Sequence, residues 1–333
     1  MKLIILPLLG GFHLRFPQYN SISLRDALAS FHTEALVVTV IEAAEFKTSN
    51  WQHTEEIALA MSIIPWARLK KIPYYGLLEK SPDPKAFDDF YRYLKEYNYD
   101  AEKLTKLARH YKDIEELIAQ SLDWQQVHQE LLPKMRFYLE MRENYFEDGP
   151  ATDWLRARAH TLTQSILNLP HQHLAILASL EQAPFLEDAL RVAGLNPHYL
   201  PPPAISEEAK ERAILDFAFN LDHPNPANVL ASLKTINKAE ARYHEANILL
   251  RHNHIREAWE ILEEASHHDF SEPYFLPSYL LTRLGQLRDL TGRRSLALKA
   301  YQAVKALDWA AQEALEVAEQ GLKEAFRLEP DSS

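Results

Sequence analysis

The first eighty residues alternate short apolar runs with stretches of helical spacing. The runs LIILPLL (residues 3–9), EALVVTVIE (34–42) and IPYYGLLE (72–79) have the length and composition of buried strands. Between them, SLRDALASF (23–31) and TEEIALAMSIIPWARLKK (54–71) repeat their apolar residues with the period of an amphipathic helix. The order strand, helix, strand, helix, strand predicts a parallel sheet with right-handed crossovers.

The middle of the chain changes to helical spacing before the strand pattern returns. Residues 84–147 carry aromatic and aliphatic stripes beside charged faces, which predicts a large helical insertion. A further helix (151–169) precedes the strand HLAILASLE (173–181) and the helix APFLEDALRVAG (183–194). The sheet is therefore predicted to resume after the insertion.

Individual polar and proline residues predict where these helices begin and bend. Ser23 has the residue type of a helix N-cap. Pro65 is expected to kink the helix that contains it, and Pro133 to break the last helix of the insertion, because proline lacks the backbone N–H that an α-helix needs.

From about residue 205 the chain is helical and repeats itself. ANILLRHNHIREAWEIL (246–262) aligns with GQLRDLTGRRSLALKAY (285–301) at an offset of 39 residues. The aligned positions hold small, turn-forming or apolar residues: Ala246 with Gly285, Asn253 with Gly292, Ala258 with Ala297, and Leu262 with Tyr301. This pattern resembles the tetratricopeptide repeat, whose usual period is about 34 residues. The change to helical spacing throughout predicts two domains, an α/β domain over 1–204 and a helical-repeat domain over 205–333.

Composition agrees with a largely helical chain and excludes several kinds of chemistry. Glycine makes up 8 of the 333 residues, or about 2.4%, whereas an average protein contains about 7% glycine. There is no cysteine, which excludes disulfides, thiol catalysis and zinc–thiolate sites. The formal net charge of −11 argues against binding to nucleic acid or to an anionic membrane surface.

The first apolar run, MKLIILPLL, also invites comparison with a secretory signal. Lys2 and the run after it supply a basic start and an apolar stretch. An A-x-A-like cleavage site does not follow Gly11, and Pro7 interrupts the run. A buried first strand is the better interpretation, and a cytoplasmic location is the default expectation.

Chemically versatile side chains follow the predicted strands. His13 comes soon after the first strand, Glu42 ends the second, Glu79 ends the third and Glu181 ends the strand after the insertion. Ligands of open parallel sheets bind beyond the carboxyl ends of the strands. Imidazole and carboxylates together suit Mn, Fe, Co or Zn, and they also suit acid–base hydrolysis. Charged residues also end strands simply because the chain reaches solvent there.

The order of these motifs resembles the TraB/Tiki and erythromycin esterase/ChaN-like superfamily over residues 1–200. The matching elements are LIILPLLGGFH with its Gly-x-x-His, the helix SLRDALASF and the strand EALVVTVIE ending in glutamate. DWLRARAHTLTQSI matches the family's arginine-bearing helix, with Arg158 the best match by spacing. A second Gly-x-x-His is replaced by Ala178-Ser179-Leu180-Glu181, which puts catalysis in doubt.

This resemblance implies a site and leaves two functions open. Its members include metal-dependent proteases, hydrolases that open macrolactones, and haem-binding proteins. The carried-over catalytic residues are His13, Glu42 and Arg158, and a divalent metal would be held by His13, Glu42, Glu79 and Glu181. One hypothesis is a hydrolase-like domain fused to an interaction module. The alternative is a non-catalytic scaffold whose C-terminal repeats bind a protein or peptide partner in their groove.

Overall fold

Four strands form one sheet in which every pairing is parallel. In the computed structural model, which describes residues 1–48, 50–78, 89, 92, 100–146, 150–219 and 225–328, the strand order is β1-β4-β2-β3. The strands are β1 (Lys2–Leu8), β2 (Ala35–Glu42), β3 (Tyr74–Leu78) and β4 (His173–Ser179). The prediction of a parallel α/β sheet is confirmed.

The last strand along the chain lies inside the sheet. β4 pairs with β1 from Lys2↔His173 to Leu8↔Ser179, and with β2 from Ala35↔Leu174 to Val38↔Leu177. Its residues 174–178 are fully buried, as expected of a strand covered on both faces. The carboxyl ends of β1, β4 and β2 therefore lie next to one another.

The helices that the structure describes in the sheet unit form within sequence stretches that have helical spacing. They are α1 (Ser21–Ser30), α2 (Ile64–Lys70), α3 (Ala101–Ile118), α4 (Leu132–Phe146), α5 (Pro150–Leu167) and α6 (Gln182–Val192). α3 and α4 are the two long helices that the structure describes within the predicted insertion at 84–147. The N-cap of α1 is Asn20 rather than Ser23, because the Asn20 side chain accepts hydrogen bonds from the backbone N–H groups of Ile22 and Ser23.

The helix is not broken at Pro133 as predicted, and the kink at Pro65 stays a prediction. The chain stays helical through Pro65 and Pro133, and a π-helical turn precedes each one, at Leu59–Ile63 and at Val127–Leu131. Each proline is the second residue of the α-helical segment that follows. Proline in a regular helix loses a hydrogen bond and clashes with the carbonyl four residues earlier, and the wider π-turn relieves that clash.

The chain divides into two compact units, Met1–Ala209 and Lys210–Ser333, whereas the sequence places the boundary at 204/205. We call them the sheet unit and the helical unit. α7 (Glu207–Phe217) crosses the boundary. The helical unit continues with α8 (Pro226–Lys234), α9 (Ala239–Arg251), α10 (Ile255–Ala265), α11 (Leu276–Leu290), α12 (Arg294–Lys305) and α13 (Gln312–Lys323).

Close helix contacts in the helical unit depend on glycine. A Cβ atom at Gly285 of α11 or at Gly321 of α13 would lie 2.5 Å from the ring of Tyr301. Tyr301 of α12 is fully buried, so its ring is held between these two neighbouring helices. The turns before α10 and α12 contain Asn253 at φ 62° and Gly292 at φ 74°, the left-handed conformation that these residue types favour.

We expect Gly285→Ala to destabilise the helical unit by about 1–3 kcal/mol, because the added methyl group collides with a ring that has no room to move. The measurement is urea unfolding followed by circular dichroism. In a Tyr301→Leu background the same glycine change should cost much less, since the smaller side chain makes space. An equal cost in both backgrounds would show that the ring contact is not the reason.

Candidate functional site

Three of the predicted site residues follow the carboxyl ends of strands in this sheet. His13 lies in a 3-10 turn (Gly10–Arg15) just after β1, Glu42 is the last residue of β2, and Glu181 lies between β4 and α6. Glu42 and Glu181 are both partly exposed. Glu79 lies outside the described residues.

His13 is a buried residue whose hydrogen-bonding capacity is used. Its Nε2 accepts from the backbone N–H of Leu9 at 3.0 Å, and its Nδ1 lies 2.9 Å from the carbonyl oxygen of Tyr19. Because a carbonyl only accepts, Nδ1 carries the proton and the tautomer follows from the two partners. Burial lowers the pKa of His13 to about 4, so the ring is neutral near pH 7. In this arrangement neither nitrogen is open to a metal or to a substrate proton.

A carboxylate that the sequence analysis did not single out lies beside this turn. Gly10 adopts a φ of 58°, and its backbone N–H donates to Glu56 Oε2 at 3.1 Å. Burial raises the pKa of the Glu56 carboxyl to about 7. Glu56 lies in a predicted helix far from the strand ends, and the glycine pair after β1 was the one local signal that the chain turns sharply there.

Arg158 of α5 reaches the same part of the sheet. Its Nη2 donates to the carbonyl oxygen of Thr39, and its guanidinium carbon lies 4.6 Å from the centroid of the Trp154 ring. The regular pairing between β2 and β4 ends at Val38, one residue before Thr39. Burial lowers the pKa of Arg158 to about 10, and among the described residues no carboxylate pairs with it.

Thr39 also connects β2 to the start of α6. Its hydroxyl oxygen lies 3.0 Å from the carbonyl oxygen of Leu177 and 2.9 Å from Gln182 Oε1. Gln182 and Thr39 are both fully buried. Arg158 and Gln182 therefore meet at one residue of β2, three positions before Glu42, and sequence reasoning predicted only the arginine of this pair.

The predicted metal ligands do not form a recognisable cluster in the part of the chain that the structure describes. No group of three or more His, Asp or Glu side chains there could hold a metal ion. The predicted set of His13, Glu42, Glu79 and Glu181 therefore stays a prediction.

Comparisons of the chain with known protein families, with curated proteins and with solved structures find no match. The resemblance to the TraB/Tiki and erythromycin esterase/ChaN-like superfamily accordingly stays a prediction. Within the described residues, no helix combines the length and the apolar character needed to cross a bilayer.

We expect His13 to make the sheet unit less stable as the pH falls from 6.5 to 4. Its pKa is lower in the folded than in the unfolded chain, so the unfolded chain binds the extra proton and stability is lost on acidification. The loss amounts to about 3 kcal/mol by pH 4. Urea unfolding of wild type and His13→Gln at pH 7, 5.5 and 4.5 measures it as the difference in pH slope.

The exposed His160 supplies the control for this measurement. His160→Gln should keep the wild-type slope. If His13→Gln keeps it as well, His13 is not a buried neutral imidazole.

Proposed function

We propose that this chain is a non-catalytic protein-interaction scaffold, in which the helical unit binds a peptide segment that carries carboxylates. The sheet unit is then a degenerate relative of hydrolase-like domains and supports the interaction module. A cytoplasmic location suits this role.

The packing of successive helix pairs supports a tetratricopeptide-like array. Small residues occupy equivalent buried positions in the pairs α9/α10 and α11/α12, namely Ala246 and Ala258, and Gly285 and Ala297. Gly321 continues the pattern on α13, where it contacts Tyr301 as Gly285 does. Such arrays present the first helices of their pairs on one extended surface, which is the surface that binds peptides.

The choice of an acidic partner rests on the burial and the hydrogen bonds of Arg283 on α11. Its Nη1 donates to Gln286 Oε1 at 2.7 Å, while its Nε has no partner among the described residues. Burial lowers the pKa of Arg283, and in the described chain no carboxylate pairs with it. A largely buried cation without a counter-ion is costly, so a carboxylate that binds beside it is favoured.

Neighbouring side chains extend this surface across two further helices. Tyr243 of α9 is close enough to Arg283 to interact with it electrostatically. Asn247, one turn further along α9, has a buried side-chain oxygen without a partner among the described residues. On the other side, the Tyr279 hydroxyl of α11 donates to Glu313 Oε2 of α13 at 3.2 Å. The aromatic, amide and guanidinium groups beside Arg283 suit an acidic side chain of an extended peptide, whereas Glu313 disfavours one near Tyr279 by like charge.

The hydrogen bonds of His13 support the proposal that the sheet unit is non-catalytic. Both of its ring nitrogens are committed to backbone groups, so it supports the loop after β1 rather than a reaction. Catalysis through His13 would require one of these buried hydrogen bonds to break.

A peptide-display selection on the intact chain tests the binding proposal. We expect the selected peptides to be enriched in Asp and Glu, and Arg283→Gln to weaken their binding at least tenfold. Arg256→Gln is the matched control, because Arg256 is exposed and already paired with Glu260 on α10. Peptides without acidic enrichment that bind Arg283→Gln as tightly as wild type would contradict the proposal.

A hydrolase is the second candidate, and Arg158 favours it. A partly buried guanidinium that lacks a carboxylate partner in the described chain and hydrogen-bonds the strand that ends in Glu42 is suited to stabilise a developing oxyanion. His13, Glu42, Glu79 and Glu181 would then hold a divalent metal such as Mn, Co, Fe or Zn, which would polarise the scissile carbonyl.

Metal analysis of the purified native chain, together with hydrolysis of p-nitrophenyl acetate, separates the two candidates. The scaffold proposal predicts substoichiometric metal and a rate that Arg158→Gln leaves unchanged. The hydrolase predicts a stoichiometric metal that His13→Gln removes, and saturable hydrolysis that Arg158→Gln lowers by at least a hundredfold, as the loss of an oxyanion donor does.

A further inference from the structure

A cavity in the sheet unit has walls of two kinds. Its volume is about 290 Å³, at the small end of the range of ligand pockets. Apolar side chains from three elements line it, among them Ile5 of β1, Leu132 of α4, and Ala183 of α6. His128 and Tyr199 contribute polar groups to the same walls. A molecule with one apolar ring and one polar group matches this lining in size and character.

The charged groups at the cavity balance one another. Glu187 is buried, and its carboxylate accepts from Arg136 Nη2 at 2.7 Å, from Arg191 Nη2 at 2.6 Å and from the Tyr199 hydroxyl at 2.7 Å. The other end of Arg136 pairs with Asp188 at 2.7 Å. Two cations therefore face two anions, and no charge is left over to hold an ionic ligand.

His128 is the polar group whose hydrogen-bonding capacity is unused. Within the described chain, neither of its ring nitrogens has a hydrogen-bond partner. Its ring packs among aromatic rings, with centroids 5.1 Å from Trp124 and 5.7 Å from Tyr199. Burial lowers the pKa of His128 to about 4, so the ring is neutral near pH 7. Leaving such a group buried and unpaired destabilises the protein.

The backbone around His128 is also unusual. His128 lies in the π-helical turn Val127–Leu131, directly before the segment that contributes Leu132 and Pro133 to the cavity wall. Single π-turns inside helices occur frequently at binding and catalytic sites. Here the turn places His128, with two buried and unpaired ring nitrogens, in the lining of the cavity.

We propose that this cavity binds a small uncharged molecule with an apolar ring and a single hydroxyl or amide group that hydrogen-bonds His128. A neutral imidazole offers a donor on one ring nitrogen and an acceptor on the other, and a hydroxyl or a primary amide can pair with either one. The balanced charges of Arg136, Arg191, Glu187 and Asp188 disfavour an anion or a cation of the same size. This site is separate from the proposed peptide surface and does not depend on it.

Titration of the intact chain with phenol, toluene and benzoate, followed by NMR, tests the proposal. We expect phenol to bind saturably, and toluene and benzoate to bind at least tenfold more weakly. Toluene lacks the polar group, and benzoate carries a charge that the site does not balance. Toluene or benzoate binding as tightly as phenol would overturn the proposal.

Two variants assign the binding to the cavity. His128→Phe keeps an aromatic ring but removes both nitrogens, so the Kd of phenol should rise to that of toluene while the Kd of toluene stays the same. His160→Phe, at an exposed position, is the control and should change neither value. Unchanged phenol binding by His128→Phe would contradict the assignment of the binding site to this cavity. The comparison of the three probes with wild-type chain decides the proposal even if a variant does not fold.

Discussion

The sheet unit depends on the insertion of β4 between β1 and β2. β1 and β4 pair along their whole length although more than 160 residues separate them, and β4 is the only strand that joins β1 to the other described strands. The sheet is therefore incomplete until residues 173–179 pair with β1 and β2. The chain between β3 and β4 must leave the sheet and return to it. Closing so long a loop costs entropy before the pairing repays it, which makes this the slow step expected in folding.

The same insertion defines what the carboxyl edge can do. β4 separates the end of β1 from the end of β2, so His13 and Glu42 follow strands that are not neighbours. The groups that do meet are carried by β2, α5 and α6, at Thr39, Arg158 and Gln182. Alternation of apolar runs and helical stretches predicted the parallel sheet, because fully buried strands differ strongly from amphipathic helices. It did not predict the strand order, since an apolar run does not encode which other run it pairs with.

The sequence predicted which strands the site residues follow better than it predicted the hydrogen bonds that they make. His13 follows β1 as predicted, but its partners are backbone groups of Leu9 and Tyr19, and backbone groups leave no signal in a sequence. Glu56 reaches Gly10 from 46 residues away, through a turn that needs a positive φ. Asn20 replaced Ser23 as the cap because several polar residues compete there. In each case a long-range or backbone contact decided the outcome, and residue type alone does not encode such contacts.

The π-turn before Pro133 links two features that would otherwise vary independently. A π-turn is in effect a helix with one residue inserted, and each residue of an α-helix turns the chain by about 100°. Deletion of one residue from Val127–Leu131 would restore a regular helix but rotate His128 away from the face that Arg136 shares, and it would leave Pro133 inside that helix at a cost of about 3 kcal/mol. Pro133 is therefore tolerated because of the extra residue in the π-turn before it. A chain that loses this extra residue would be expected to lose the proline as well.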